Sequence, residues 1–102
     1  MPSVASLSDP IGTFDPVPRI SAFYGIVIAI FLDDHPPPHF HARYGEHDAQ
    51  VSIATGEVLN GTLPRRAHAL VREWAGQHRE ELEANWELAR QELPLATIAP
   101  LP

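Results

Sequence analysis

The chain has 102 residues, 44% of them hydrophobic, with thirteen acidic side chains against seven basic ones, a formal charge of -6 and no cysteine. That length fits one domain with one modest core. The missing cysteine excludes disulfides and thiolate metal sites and fits a reducing compartment, leaving His, Asp, Glu and backbone oxygens to hold any metal, while the acidic balance repels nucleic acid at long range. Ile26 to Leu32, the longest apolar run, is far short of the roughly 20 residues of a membrane-spanning helix. The N-terminus lacks a basic region leading into a hydrophobic one, so a cytoplasmic protein is expected.

In chain order, residues 1–18 carry Pro2, Pro10, Pro16 and Pro18 among small polar residues without apolar periodicity, which predicts an extended or disordered arm ahead of a single domain over 19–102. Ile20 to Leu32 is rich in β-branched and aromatic residues and predicts one buried, central strand. After a proline loop, Phe40 to Tyr44 alternates and predicts a strand paired with Ala49 to Ala54 across a turn at Gly45-Glu46-His47-Asp48. A short strand is expected near Glu57 to Leu59, followed by a turn at Asn60-Gly61. Thr62 is the expected N-cap, and Pro64 suits the first turn, where its missing N–H costs nothing. From Pro64 to about Gln91 an apolar stripe (Leu63, Ala67, Leu70, Val71, Trp74, His78, Leu82, Trp86 and Ala89) recurs at three- and four-residue intervals. Gly76 interrupts it, predicting one curved helix or two helices meeting near Gly76 to His78. The fold class is therefore α+β: a small, mainly antiparallel sheet of three or four strands with the helical segment packed on one face.

The chemistry concentrates in His35-Pro36-Pro37-Pro38-His39-Phe40-His41-Ala42-Arg43-Tyr44. On a strand, residues two apart share a face, so His39, His41 and Arg43 project together and Tyr44 falls with Phe40 on the core side. Three uses fit these residue types. The histidines could pin the proline loop to the sheet by hydrogen bonds; His35, His39 and His41 with Asp33 or Asp34 could ligate zinc, nickel or iron; or His39 and His41 could act as acid and base, with Arg43 on phosphate, in metal-free RNA cleavage. Arg65 and Arg66 open the long helix, where cations oppose the dipole. They read either as surface charges paired with Glu57 or Glu46, or as an anion site with the first-turn amides. Trp74, Trp86 and His78 read as core or partner interface. The Glu and Arg side chains between Arg72 and Arg90 read as a solvated helix face.

These residues also carry a family likeness. Arg19-Ile20-Ser21, Phe23-Tyr24-Gly25-Ile26-Val27-Ile28, Asp34-His35, Pro37-Pro38-His39-Phe40-His41-Ala42, Leu63-Pro64-Arg65-Arg66-Ala67, Glu73-Trp74-Ala75, His78-Arg79-Glu80-Glu81-Leu82 and Asn85-Trp86 resemble the small bacterial family called domain of unknown function 4160, over about Pro18 to Leu101. Pro36 and Gly76 depart from what relatives often carry there. The resemblance implies no established activity. It implies a gene beside one of a second family, domain of unknown function 2442, hence a toxin-antitoxin-like module with a small protein partner. On that basis the expected functional surface is His39, His41 and Arg43 with Arg65 and Arg66, acting on RNA. The alternatives are a non-catalytic metal-binding module built on Asp34, His35, His39 and His41, and an interaction protein that docks a partner through the helix stripe; a homo-oligomer is compatible with each.

Overall fold

A computed structural model of the chain describes residues 18–102, so the expected arm lies, apart from Pro18, outside the described residues. Five strands form one antiparallel meander in the order β1-β2-β3-β4-β5. The strand expected over Ile20 to Leu32 is two strands, β1 (Arg19–Phe23) and β2 (Ile26–Ala29), which raises the count above the three or four anticipated. Tyr24 and Gly25 make the turn, both with positive φ (50° and 80°). That two-residue geometry matches the twist of the flanking strands. The middle strand is β3 (His39–Tyr44), and β1 lies at the sheet's border.

The expected hairpin of β3 with β4 (His47–Ser52) is present, turning at Gly45-Glu46, with Phe40 opposite Val51 and Ala42 opposite Ala49. Asn60-Gly61, read as a turn, instead ends β5 (Val58–Gly61), which pairs with β4. Gly61 has φ +81°, and a Cβ there would collide with the Asp48 carbonyl oxygen, so glycine lets two backbones approach. Thr62 is not the helix cap. Its amide donates to the Asp48 carbonyl at 3.2 Å, continuing the sheet, and Pro64 takes the cap position with no side-chain bond.

The helical segment is two helices, α1 (Arg65–Gln77) and α2 (Arg79–Arg90), meeting at His78, within the expected stretch Gly76 to His78. The His78 amide closes α1 on the Trp74 and Ala75 carbonyls, and the His78 carbonyl accepts the Leu82 amide to begin α2. The buried members of the stripe meet one face of the sheet. Trp74, fully buried, sits with its ring 5.3 Å from that of Phe23 and 5.7 Å from that of Phe40. Removing an aromatic so placed costs about 3–5 kcal/mol.

The segment after α2 has no regular structure, yet its backbone is tied down at several points. Ile98 donates to the Ile20 carbonyl at 2.8 Å, covering the border of β1. Asn85, Trp74 and Tyr24 bond the backbone of Ala96, Ala99 and Pro102 in turn. No helix among the described residues is long and apolar enough to cross a membrane.

Two consequences follow for the site. Because strands alternate, Val27, Ala29, His41, Arg43, Asp48 and Gln50, aligned across β2, β3 and β4, lie on the face opposite the helices. Tyr44 shares the core face with Phe40 but lies at its margin, 39% exposed, so its expected place in the core is corrected to the rim.

Candidate metal centre

The loop between β2 and β3 is held at both ends. The Asp33 amide donates to the Ala89 carbonyl at the end of α2 (2.8 Å), and the Pro38 carbonyl accepts the Ile53 amide (3.1 Å). Asp33 takes φ +54°, and the Pro36-Pro37 bond is cis. This path places the Asp34 carboxylate beside the start of β3, within reach of both His39 and His41.

Asp34 Oδ2 lies 2.9 Å from His39 Nε2 and 3.3 Å from His41 Nε2. Its other oxygen accepts the His35 amide at 2.8 Å. The His39 ring is fixed from behind: Nδ1–H donates to the Pro37 carbonyl at 2.7 Å, and the ring packs 5.3 Å from Trp86 of α2. At 2% exposure His39 is sealed from solvent. His41 stacks flat on Phe31, ring centres 3.7 Å apart and planes within 7°.

The electrostatics of Asp34 and His41 suit a cation. Burial pushes the Asp34 carboxyl up, but the His35 amide and then the two imidazoles outweigh it and hold the group below its usual range. For His41 burial dominates and lowers the imidazole below its ordinary value against the pull of Asp34, leaving a neutral ring near pH 7. An ionised carboxylate and a neutral imidazole are the forms in which these groups ligate metals. One donor atom from each of Asp34, His39 and His41 lies within 4.8 Å of the others, so the triad could hold a metal ion.

The residues singled out in the sequence separate in space. Asp34, His39 and His41 converge, whereas the His35 ring stays outside them, 82% exposed and 3.1 Å from Asp34 Oδ1. Asp33 contributes backbone, not a ligand. Arg43 reaches Asp48 at 3.5 Å and lines a hollow with His41. Arg66 lines a different hollow with Tyr24 and Tyr44, on the helix side of the sheet, and Arg65 is exposed and does not line it. The pairing of these arginines with Glu57 does not form, since Glu57 meets Arg72 at 3.5 Å. Phe31 and Trp86, which fix the two rings, escaped the sequence reading as site residues. Phe31 was legible in principle, because Val27, Ala29 and Phe31 alternate against Ile26, Ile28 and Ile30.

The family model described as Domain of unknown function (DUF4160) matches residues 25–87, more than half of the chain. The chain belongs to this family. The match takes in Asp34, His39, His41 and Arg43 as well as Arg65 and Arg66. No curated protein and no solved structure matches the chain.

Proposed function

We propose that this DUF4160 domain binds one divalent transition-metal ion through Asp34 and the Nε2 atoms of His39 and His41. The observation that carries the reading is the position of His39 between two acceptors. Its Nδ1 proton is committed to the Pro37 carbonyl, which can only accept. In the neutral ring Nε2 is then a bare lone pair, 2.9 Å from a carboxylate oxygen. Two lone pairs at that distance need a positive charge between them, either a second proton on a sealed ring or a cation. Ligand bonds of about 2.0–2.1 Å, meeting at angles between octahedral and tetrahedral, give donor separations of about 2.9–3.4 Å. The separations of 2.9 and 3.3 Å from Asp34 Oδ2 to the two Nε2 atoms fall in that range.

The bond from His39 to the Pro37 carbonyl is also the support that metal-bound histidines commonly have, fixing tautomer and ring orientation. Two nitrogens and one oxygen suit zinc, nickel or ferrous iron. Three protein ligands leave a coordination position open, the arrangement of reactive rather than purely structural sites. Metal-free cleavage of RNA by His39, His41 and Arg43 is less well served: His39 has both nitrogens engaged and is shut away from any substrate hydroxyl.

Elemental analysis of protein purified without a histidine tag tests the proposal. About one equivalent of metal per chain, or a rise in melting temperature on adding zinc, nickel or ferrous iron to stripped protein, is expected. Protein that carries no metal and whose melting temperature ignores all three ions would remove it.

A further inference from the structure

We infer that the groove holding residues 93–102 recognises extended, uncharged, proline-containing segments with an apolar residue at every third position, and that this tail is a built-in occupant which a partner's segment of the same kind replaces. The tail repeats in threes. Leu95 is half-buried, Ile98 and Leu101 are buried, and the residues between them are exposed. The bonded carbonyls follow the same period one residue further on: Ala96 accepts from Asn85 Nδ2 (2.8 Å), Ala99 from Trp74 Nε1 (2.8 Å) and Pro102 from the Tyr24 hydroxyl (2.6 Å). Three residues per turn is the repeat of the polyproline II helix, which advances about 9 Å per turn.

The three donors stand on three separate elements, α2, α1 and the turn between β1 and β2, and Trp74 is wedged against Phe23 and Phe40. Their spacing is therefore set by the packed domain rather than by the tail. Donors aimed at carbonyls accept proline as readily as any other residue, because proline keeps its carbonyl and lacks only the N–H, and aromatic-lined grooves are the usual receptors of polyproline II ligands. The tail meets those terms: its amides engage the domain at Ala96 and Ile98, and its prolines stand elsewhere, at 94, 100 and 102. Its ten residues carry no charge in a chain that is 20% charged, so the preferred occupant is uncharged. Exchange is open to it because the tail is held at points and not as a strand. One backbone bond, from Ile98 to the Ile20 carbonyl, ties it to β1, and segments held in this way open without global unfolding. Its attachment to α2 gives the tail an effective concentration on the order of millimolar, the level a free segment of equal affinity has to match.

This inference goes beyond the metal reading and is independent of it, since the groove uses none of Asp34, His39 and His41. The test adds an unlabelled synthetic peptide with the sequence of residues 93–102 to isotope-labelled, metal-free full-length protein and follows backbone and indole signals by magnetic resonance. Millimolar peptide should displace the tail: the Ile98 and Leu101 amides move to unstructured positions, while the Trp74 indole N–H stays in place because a peptide carbonyl still meets it. In full-length Ile98→Ala, whose own tail has lost an anchor, the same peptide should act at a concentration at least about tenfold lower. A peptide of the same composition with its leucines and isoleucine made consecutive should displace nothing in either protein. Ile98 and Leu101 amides that stay in place at about 10 mM peptide, no gain in Ile98→Ala, or equal displacement by the peptide that lacks the period would each overturn the inference. Should Ile98→Ala fail to fold, the wild-type titration with the two peptides decides alone.

Discussion

Nε2 of His39 lies 2.9 Å from Oδ2 of Asp34, and the opposite nitrogen of the same ring donates to the Pro37 carbonyl at 2.7 Å. Every atom in that chain of contacts comes from six consecutive residues, so the loop and the first residue of β3 build most of the site by themselves. His41 completes it from the next position on the same strand face. The helices contribute by sealing it: Trp86 packs against His39, and the Ala89 carbonyl anchors the loop through Asp33.

Acidification should destabilise the metal-free protein in two steps of the same sign. The folded pKa of His41 is lowered, so the unfolded chain binds the proton more readily, and the stabilising effect, complete above about pH 6.5, is lost as pH falls through the folded value. Asp34 is also lowered, and its effect, complete above about pH 3.9, disappears at more acidic pH. Thermal melts between pH 7.5 and 5 should show a falling melting temperature in the stripped wild type and a flatter profile in His41→Gln. A melting temperature that rises on acidification would contradict this sign.

Asn85 should be worth far more than an average polar residue. It is 1% exposed, and its amide both accepts from the Ala96 N–H (2.9 Å) and donates to the Ala96 carbonyl (2.8 Å). Asn85→Ala strips both bonds from buried groups and should cost about 2–4 kcal/mol in urea unfolding. The loss should appear locally as faster hydrogen exchange at the Ile98 amide, which bonds the Ile20 carbonyl. An unchanged exchange rate there would mean that the tail is held without Asn85.

Two glycines should respond in opposite directions to alanine. Gly61→Ala places a methyl against the Asp48 carbonyl at φ +81° and should destabilise by at least about 1–3 kcal/mol. Gly76→Ala lies in α1 with open space around the new methyl and should stabilise by up to about 1 kcal/mol. Denaturation midpoints of the two variants check both signs together.

How far the sequence discloses this molecule can be followed residue by residue. The facing of His39, His41 and Arg43 away from Phe40 and Ala42 is legible, because strand alternation is local and strict. Gly76 marks where the helical segment bends or divides but does not choose between one curved helix and two; the choice is made at His78, where the amide closes one helix and the carbonyl opens the next. Tyr24-Gly25 conceals a hairpin because tyrosine gives no hint of the positive φ it adopts. Asn60-Gly61 misleads in the opposite sense: its left-handed glycine serves a close backbone approach inside the sheet, not a turn. Asp34 joining the histidines while His35 turns to solvent depends on the path of the proline loop, and pattern alone does not carry that path. Arg65 and Arg66 stand apart from the histidine face because α1 packs on the other side of the sheet.

The central claim is a metal held jointly by one carboxylate and two imidazoles, and calorimetric titration of zinc into stripped, untagged protein at pH 7.5 tests it most directly. One site per chain is predicted for the wild type, weakened at least about tenfold in Asp34→Asn and in His41→Ala and unaffected in His35→Ala, whose ring lies outside the triad. Equal zinc affinity in the wild type, Asp34→Asn and His41→Ala, or no binding in any of them, would contradict the account.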